Sequence, residues 1–242
     1  MSSEGSEPER HHFAQHLLRV EDGLNAYFRP AEKTSHACLV LHEHLGLVEN
    51  LVATVENLIG ERTSIFIPDL FSAVTSKSLL NNEFDALAKL KYSRVRRIVE
   101  RSVEFLKQSH SVVLLLGFSI GAAFGLRVLE DVDGFQNGFL FYGLPHLSKL
   151  NPERIKTSTY IVCGSKDKIK HLSDENTFQE AREKCHGNTR IHFEQINGLH
   201  HGFLNPDSPN FSESGLLYCQ NLIFRNIPKA LKDFKDIIQV KK

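Results

Sequence analysis

The 242-residue sequence carries no excess of charge: Lys and Arg number 29, Asp and Glu number 29, and the formal net charge is zero. Without a basic field there is no electrostatic reason to expect nucleic acid or an anionic membrane as partner. No stretch approaches the roughly 18 consecutive apolar residues that a membrane-crossing helix needs. The opening MSSEGSEPERHHF is polar and lacks the apolar core of a secretory signal, so a cytoplasmic location is the expectation. Cysteine is scarce and scattered, at Cys38, Cys163, Cys185 and Cys219, with no C-x-x-C pair. That usage argues against a disulfide framework and for a reducing compartment. The Asn210-Phe211-Ser212 sequon is then expected to stay unmodified. No G-x-G-x-x-G or phosphate-binding loop is present, so no nucleotide cofactor is expected.

What is present is an alternation of apolar runs and amphipathic stretches. Residues 1–12 read as a polar tail and 13–242 as one domain. His16–Glu21 and Leu24–Arg29 flank Asp22-Gly23, a two-residue hairpin signal. Ala37–Leu41, Ser64–Ile67, Val112–Leu116, Gly138–Tyr142, Thr159–Cys163 and Arg190–Ile196 read as strands. The continuous apolar runs among them, VVLLL above all, are those of strands covered on both faces. Helical spacing marks 48–62, 92–109, 120–130, 173–184 and a last helix near 214–238 that Pro228 should kink or divide. Residues 69–82 read as a loop and 83–91 as a short helix. Strands alternating with helices predict an α/β fold with three αβα layers, a mostly parallel sheet and an antiparallel N-terminal hairpin.

Gly117-Phe118-Ser119-Ile120-Gly121 lies between the VVLLL strand and the helical run beginning at Ala122. A serine there occupies a sharp strand-to-helix turn, with glycines two before and two after it where side chains would collide. The turn lifts the hydroxyl clear of the sheet and aims helix N–H groups at it, where they stabilise negative charge. An acid and a histidine should follow in that order, each after a later strand. Asp167 follows strand 159–163 in Gly164-Ser165-Lys166-Asp167, and His200-His201-Gly202-Phe203 follows strand 190–196. Of the adjacent histidines, His201 is favoured because Gly202 permits a tight turn and Phe203 anchors the loop in the core. A proton then passes from Ser119 to His201 and on to the leaving group.

Nearly the whole chain after the tail resembles the dienelactone hydrolase family of α/β-hydrolases. The likeness rests on Leu41-His42-Glu43-His44-Leu45-Gly46-Leu47, Pro68-Asp69-Leu70-Phe71, Gly117–Gly121, Gly164–Asp167 and His201-Gly202-Phe203. It implies a fold without a large cap, a backbone oxyanion hole from Ile120 and His44, and Glu43 beside the nucleophile. The lesser alternative for Glu43 is a buried structural carboxylate bonded to loop amides. Many family members use cysteine where this chain has Ser119. Members that bind an anionic lactone carry arginines where this chain reads Ser72-Ala73-Val74 and Leu204-Asn205-Pro206. The resemblance therefore implies a neutral small ester, lactone or thioester. The same triad also serves acyltransferases and peptidases, and an inactive binding protein on a hydrolase scaffold is a further alternative.

No metal is expected. His42-Glu43-His44 is not H-E-x-x-H, and on an extended segment Glu43 points away from both histidines. His11, His12 and His16 read as part of a solvated tail. Arg94, Arg96, Arg97 and Arg101, interspersed with Glu100 and Glu104, read as a solvated helix face laced with ion pairs.

Overall fold

The computed structural model describes residues 16–19, 24–71 and 90–227. The Asp22-Gly23 turn, residues 72–89 with the expected short helix, the polar tail through His12 and everything from Pro228 onward lie outside the described residues.

Among the described residues, eight strands form one sheet: β1 (Leu17–Arg19), β2 (Asn25–Arg29), β3 (His36–Leu41), β4 (Ser64–Pro68), β5 (Val112–Phe118), β6 (Asn137–Phe141), β7 (Ser158–Gly164) and β8 (Ile191–Ile196). Their order is β1-β2-β4-β3-β5-β6-β7-β8. β1 and β2 pair antiparallel, β2 runs antiparallel to β4, and every later pair is parallel. The helices are α1 (Glu49–Ile59), α2 (Tyr92–Lys107), α3 (Ile120–Asp131), α4 (Glu175–Lys184) and α5 (Glu213–Asn226).

Strand alternation sends successive side chains to opposite faces, and two apolar clusters result. Ala37, Leu39 and Leu41 of β3 and Val113 and Leu115 of β5 pack with α2, α3 and α4. Cys38, Val40, Leu114, Leu116 and Phe118 pack with α1 and α5 on the other face. Burying each leucine of β5 contributes about 2 kcal/mol. The central strands are apolar on both sides because both sides are covered.

Element ends follow local chemistry. Helix α1 stops at Ile59 because Gly60 (φ 73°) turns the chain out of the helix. Helix α4 starts two residues later than expected, since Asp174 caps it by accepting the Thr177 N–H, which leaves Ser173 outside the helix. Helix α5 ends at Asn226, and Ile227 is extended (φ −84°, ψ 154°), the conformation favoured just before a proline. His16 departs from the expectation of a solvated tail. Its Nδ1 lies 3.1 Å from the Phe28 carbonyl and its ring meets Tyr27 edge-on, so β-pairing carries it onto the sheet. The arginine face of α2 is solvated, with Arg96 bonded to Glu100 at 2.8 Å.

Candidate active site

β5 runs directly into Ser119, whose backbone sits at φ 51° and ψ −119°. A non-glycine residue held there costs about 1–3 kcal/mol and persists only when its surroundings fix it. Its N–H donates to the Phe141 carbonyl at 2.9 Å, and its own carbonyl accepts from Ala122 and Ala123 at 3.0 and 3.1 Å. A Cβ on Gly117 would lie 2.7 Å from Ala122 Cα, and one on Gly121 only 2.2 Å from the Leu41 carbonyl oxygen. Both glycines of the motif are therefore demanded by backbone crossings. A third crossing was not read from the sequence: a Cβ on Gly143 would stand 1.8 Å from the Ser119 carbonyl oxygen.

His201 Nε2 lies 2.9 Å from Ser119 Oγ, and His201 Nδ1 lies 2.9 Å from Asp167 Oδ2. The carboxylate is fully buried and the imidazole partly open. Asp167 Oδ1 accepts the Ile169 N–H at 3.0 Å, which fixes the plane of the carboxylate. Gly202 takes φ 72°, the turn expected of it, and Phe203 is fully buried against Tyr142. The Tyr142 ring also meets the imidazole edge-on, with centroids 5.0 Å apart. Asn210 donates to the His201 carbonyl at 3.0 Å, so the sequon asparagine holds the histidine loop. His200 is half-buried and takes no part in the bonds that join Ser119 to Asp167. The two loops are locked backbone to backbone: Lys166 N–H donates to the Leu199 carbonyl at 2.8 Å.

Ser173 was missed in the sequence. Its hydroxyl stands 3.0 Å from His201 Nδ1, giving that N–H a second acceptor beside Asp167. Two acceptors on Nδ1 fix the tautomer that leaves Nε2 free to take a proton.

The start of α3 packs against the end of β3, which brings the His42–Gly46 turn beside Ile120. Ile120 opens the helix, so its N–H is among those with no partner inside it. Glu43 is buried, and burial pushes its carboxyl above the usual range. His44, His201 and the 2.7 Å bond from Asn205 Nδ2 oppose that shift. The Tyr142 hydroxyl is raised in turn by burial and by Glu43. Both line a narrow recess, with room for about one water, together with Leu45 and Leu204.

The carboxyl of Glu43 holds its proton more tightly in the folded chain than in the unfolded one. Ionising it therefore disfavours the fold, and stability falls as pH rises from the ordinary glutamate range toward the raised value. Glu43→Gln is expected to melt above the wild type at about pH 8, with the difference closing toward about pH 4. Paired melting curves across that range check this.

His42 explains why the two most discriminating sequence segments occur together. It is fully buried, accepts the Leu70 N–H at Nε2 (2.9 Å) and so donates from Nδ1 to the Glu43 carbonyl (2.8 Å). Burial lowers its pKa, which keeps the ring neutral, so Asp69 at 3.8 Å is no ion-pair partner. The ring of Phe71 closes over it at 4.7 Å. One imidazole thus ties the turn after β3 to the turn after β4. Among the described residues, no three His, Cys, Asp or Glu side chains gather into a group able to hold a metal.

This order of strands, with a strained serine between β5 and α3, is that of the α/β-hydrolases. A solved structure from Klebsiella pneumoniae subsp. pneumoniae MGH 78578, described as a "Putative Dienelactone Hydrolase", superposes with a TM-score of 0.73 at 13% identity, covering 84% of this chain and 92% of that one. The dienelactone hydrolase-like promiscuous phosphotriesterase P91 from metagenomic libraries superposes with a TM-score of 0.66 at 15% identity, covering 85% and 93%. In sequence, the chain is 26% identical over 199 residues to a protein of Aquifex aeolicus (strain VF5) named "Putative carboxymethylenebutenolidase", covering 75% of this chain and 82% of that protein. The model of the dienelactone hydrolase family matches residues 24–220. The chain belongs to that family and is an ester-type hydrolase.

Proposed function

We propose that the protein is a serine hydrolase that cleaves a small ester, lactone or thioester through an acyl-enzyme on Ser119. The observation that carries this reading is the unbroken chain of hydrogen bonds from Ser119 Oγ through His201 to Asp167, each 2.9 Å long. His201 Nε2 takes the serine proton as Oγ attacks the carbonyl carbon. The oxyanion forms against the N–H groups of Ile120 and His44, a contribution worth about 3–4 kcal/mol per donor in comparable sites. Asp167 and Ser173 accept from Nδ1 and support the imidazolium. His201 then protonates the leaving group, and water repeats the sequence to release the acid.

Ser119 takes the place that cysteine holds in many relatives. Its oxygen needs a base to become nucleophilic, and His201 supplies one directly, so the chemistry does not require Glu43 to act on it. A cytoplasmic setting and a small acyl substrate, with no nucleic acid or membrane partner, belong to the same proposal. All four cysteines are free and buried, in keeping with a reducing compartment. No helix among the described residues is long and apolar enough to cross a membrane.

A fluorophosphonate probe tests the reading. The intact protein is expected to become covalently labelled, with the adduct on the Ser119 peptide by mass spectrometry. Labelling elsewhere, or none, would refute an activated Ser119 and favour a non-catalytic scaffold.

A further inference from the structure

Helix α3 begins at Ser119 and continues away from it along a second recess, of about 210 Å³, separate from the one beside Glu43. Ile120, Ala123 and Phe124 form one wall, and Leu144 and Pro145 face them from the segment after β6. Further along stand Arg127, His146, Lys149 and His171. Positions 120, 123, 124 and 127 share a single helix face, and at 1.5 Å per residue Arg127 lies about 10 Å along the axis from Ile120. The recess is thus apolar beside the Ser119–Ile120 turn and cationic at its far end. Among the described residues, no Asp or Glu lines it.

Among the described residues neither Arg127 nor Lys149 is closed into a salt bridge. The Arg127 guanidinium lies 3.7 Å over the Tyr92 ring, and its buried Nε has no hydrogen-bond partner. Glu130 is drawn electrostatically to Arg127, and each acid nearby has a further partner. Glu130 accepts the Asn151 N–H, Asp131 is bonded by Tyr92 and paired with Arg154, and Asp174 caps α4. His146 Nδ1 accepts from Ser148 N–H at 3.4 Å, so the ring's Nε2 carries the proton and is a donor.

We propose that this recess binds an acyl group ending in an anion, a carboxylate borne on a medium-length chain, and so sets the substrate class of the hydrolase. The inference rests on the serine-hydrolase reading above. The recess is lined by Ile120, whose N–H the proposed mechanism assigns to the oxyanion, and not by His201, beside which the leaving group departs in that mechanism. It therefore holds the acyl side of the ester. The absence of arginine at Leu204-Asn205-Pro206 implies a neutral substrate only if no other cation faces the pocket, and Arg127 and Lys149 do.

The test compares p-nitrophenyl half-esters of pimelate and suberate with the same esters ending in a carboxamide. The wild type is expected to favour the carboxylate in kcat/KM by about tenfold to a hundredfold, the range of a hydrogen bond to a charged group. The preference should shrink as salt is raised. Arg127→Met retains bulk over Tyr92, and Lys149→Gln alters an exposed side chain without threatening the fold. Both are expected to move the ratio toward unity, whereas Arg225→Gln, an exposed position on α5 across the sheet from α3, leaves it unchanged. A chain reactive with fluorophosphonate but indifferent to the terminal charge would overturn the acyl-anion proposal alone. A chain inert to the probe and to every ester would overturn the hydrolase reading and this inference with it. A terminal phosphonate preferred over the carboxylate at equal length would overturn the carboxylate assignment.

Discussion

Ser119→Ala lowers kcat for any accepted ester by about four to six orders of magnitude while leaving the fold intact. In the proposed mechanism the serine oxygen is the atom that bonds to the substrate, and a methyl group has no lone pair to offer in its place. What survives is the contribution of the oxyanion N–H groups and of binding, about a thousandfold over water in comparable triads. His201→Ala is expected to fall nearly as far, since an unassisted hydroxyl is a poor nucleophile at neutral pH. The double variant should be scarcely worse than either single one, because the pair acts as a unit. His200→Ala should lose far less, as that ring stands outside the bonds joining Ser119 to Asp167. Steady-state kinetics on the four proteins check the assignment, and a dead His200→Ala beside an active His201→Ala would reverse it.

Gly143→Ala is the substitution with the largest expected effect on the fold. The added methyl would sit 1.8 Å from the Ser119 carbonyl oxygen and 2.6 Å from its carbonyl carbon. Both obstructing atoms are backbone, so no side chain can rotate away. That same carbonyl receives the first N–H groups of α3. Relief means displacing the turn that holds the nucleophile, at a cost of about 3 kcal/mol or more. For a chain of this size the melting temperature should fall by about 6–12 °C. Activity should fall further than stability, because a shift of about 1 Å in the serine spoils its alignment with His201. Calorimetry alongside kinetics on the folded fraction separates the two effects. A variant that melts and turns over like the wild type would show that the crossing of Gly143 and Ser119 is looser than described.

How much of this could be read from residues alone depended on whether a constraint was local. The elbow was legible because its glycines sit two positions either side of the serine, and the crossings they permit are set by that turn. Ser119, Asp167 and His201 could be ordered because each follows a strand that announces itself by apolar composition. Gly143 answers the same steric demand from 24 residues past the serine, and nothing in Phe141-Tyr142-Gly143 signals which backbone it meets. Ser173 was hidden for a different reason. It reads as the first residue of the helix over 173–184, and only the Asp174 cap frees it to face the imidazole. The Asn205 to Glu43 bond spans 162 residues and follows from no spacing rule. His42 was read as one of a pair and proved to be a fully buried tie between two loops. The recess along α3 was invisible because its cations come from three separate segments, none basic enough by itself to stand out.

Ser119 and His201, the proposed nucleophile and base, are held by very unequal parts of the sheet. β5 has a strand on each side, β3 and β6, whereas β8 pairs only with β7 at the margin. A strand with one neighbour peels away more readily than one in the middle. Loosening that border would carry the imidazole off while the serine stayed in place, so catalytic competence reports on the border and can fade before the centre melts.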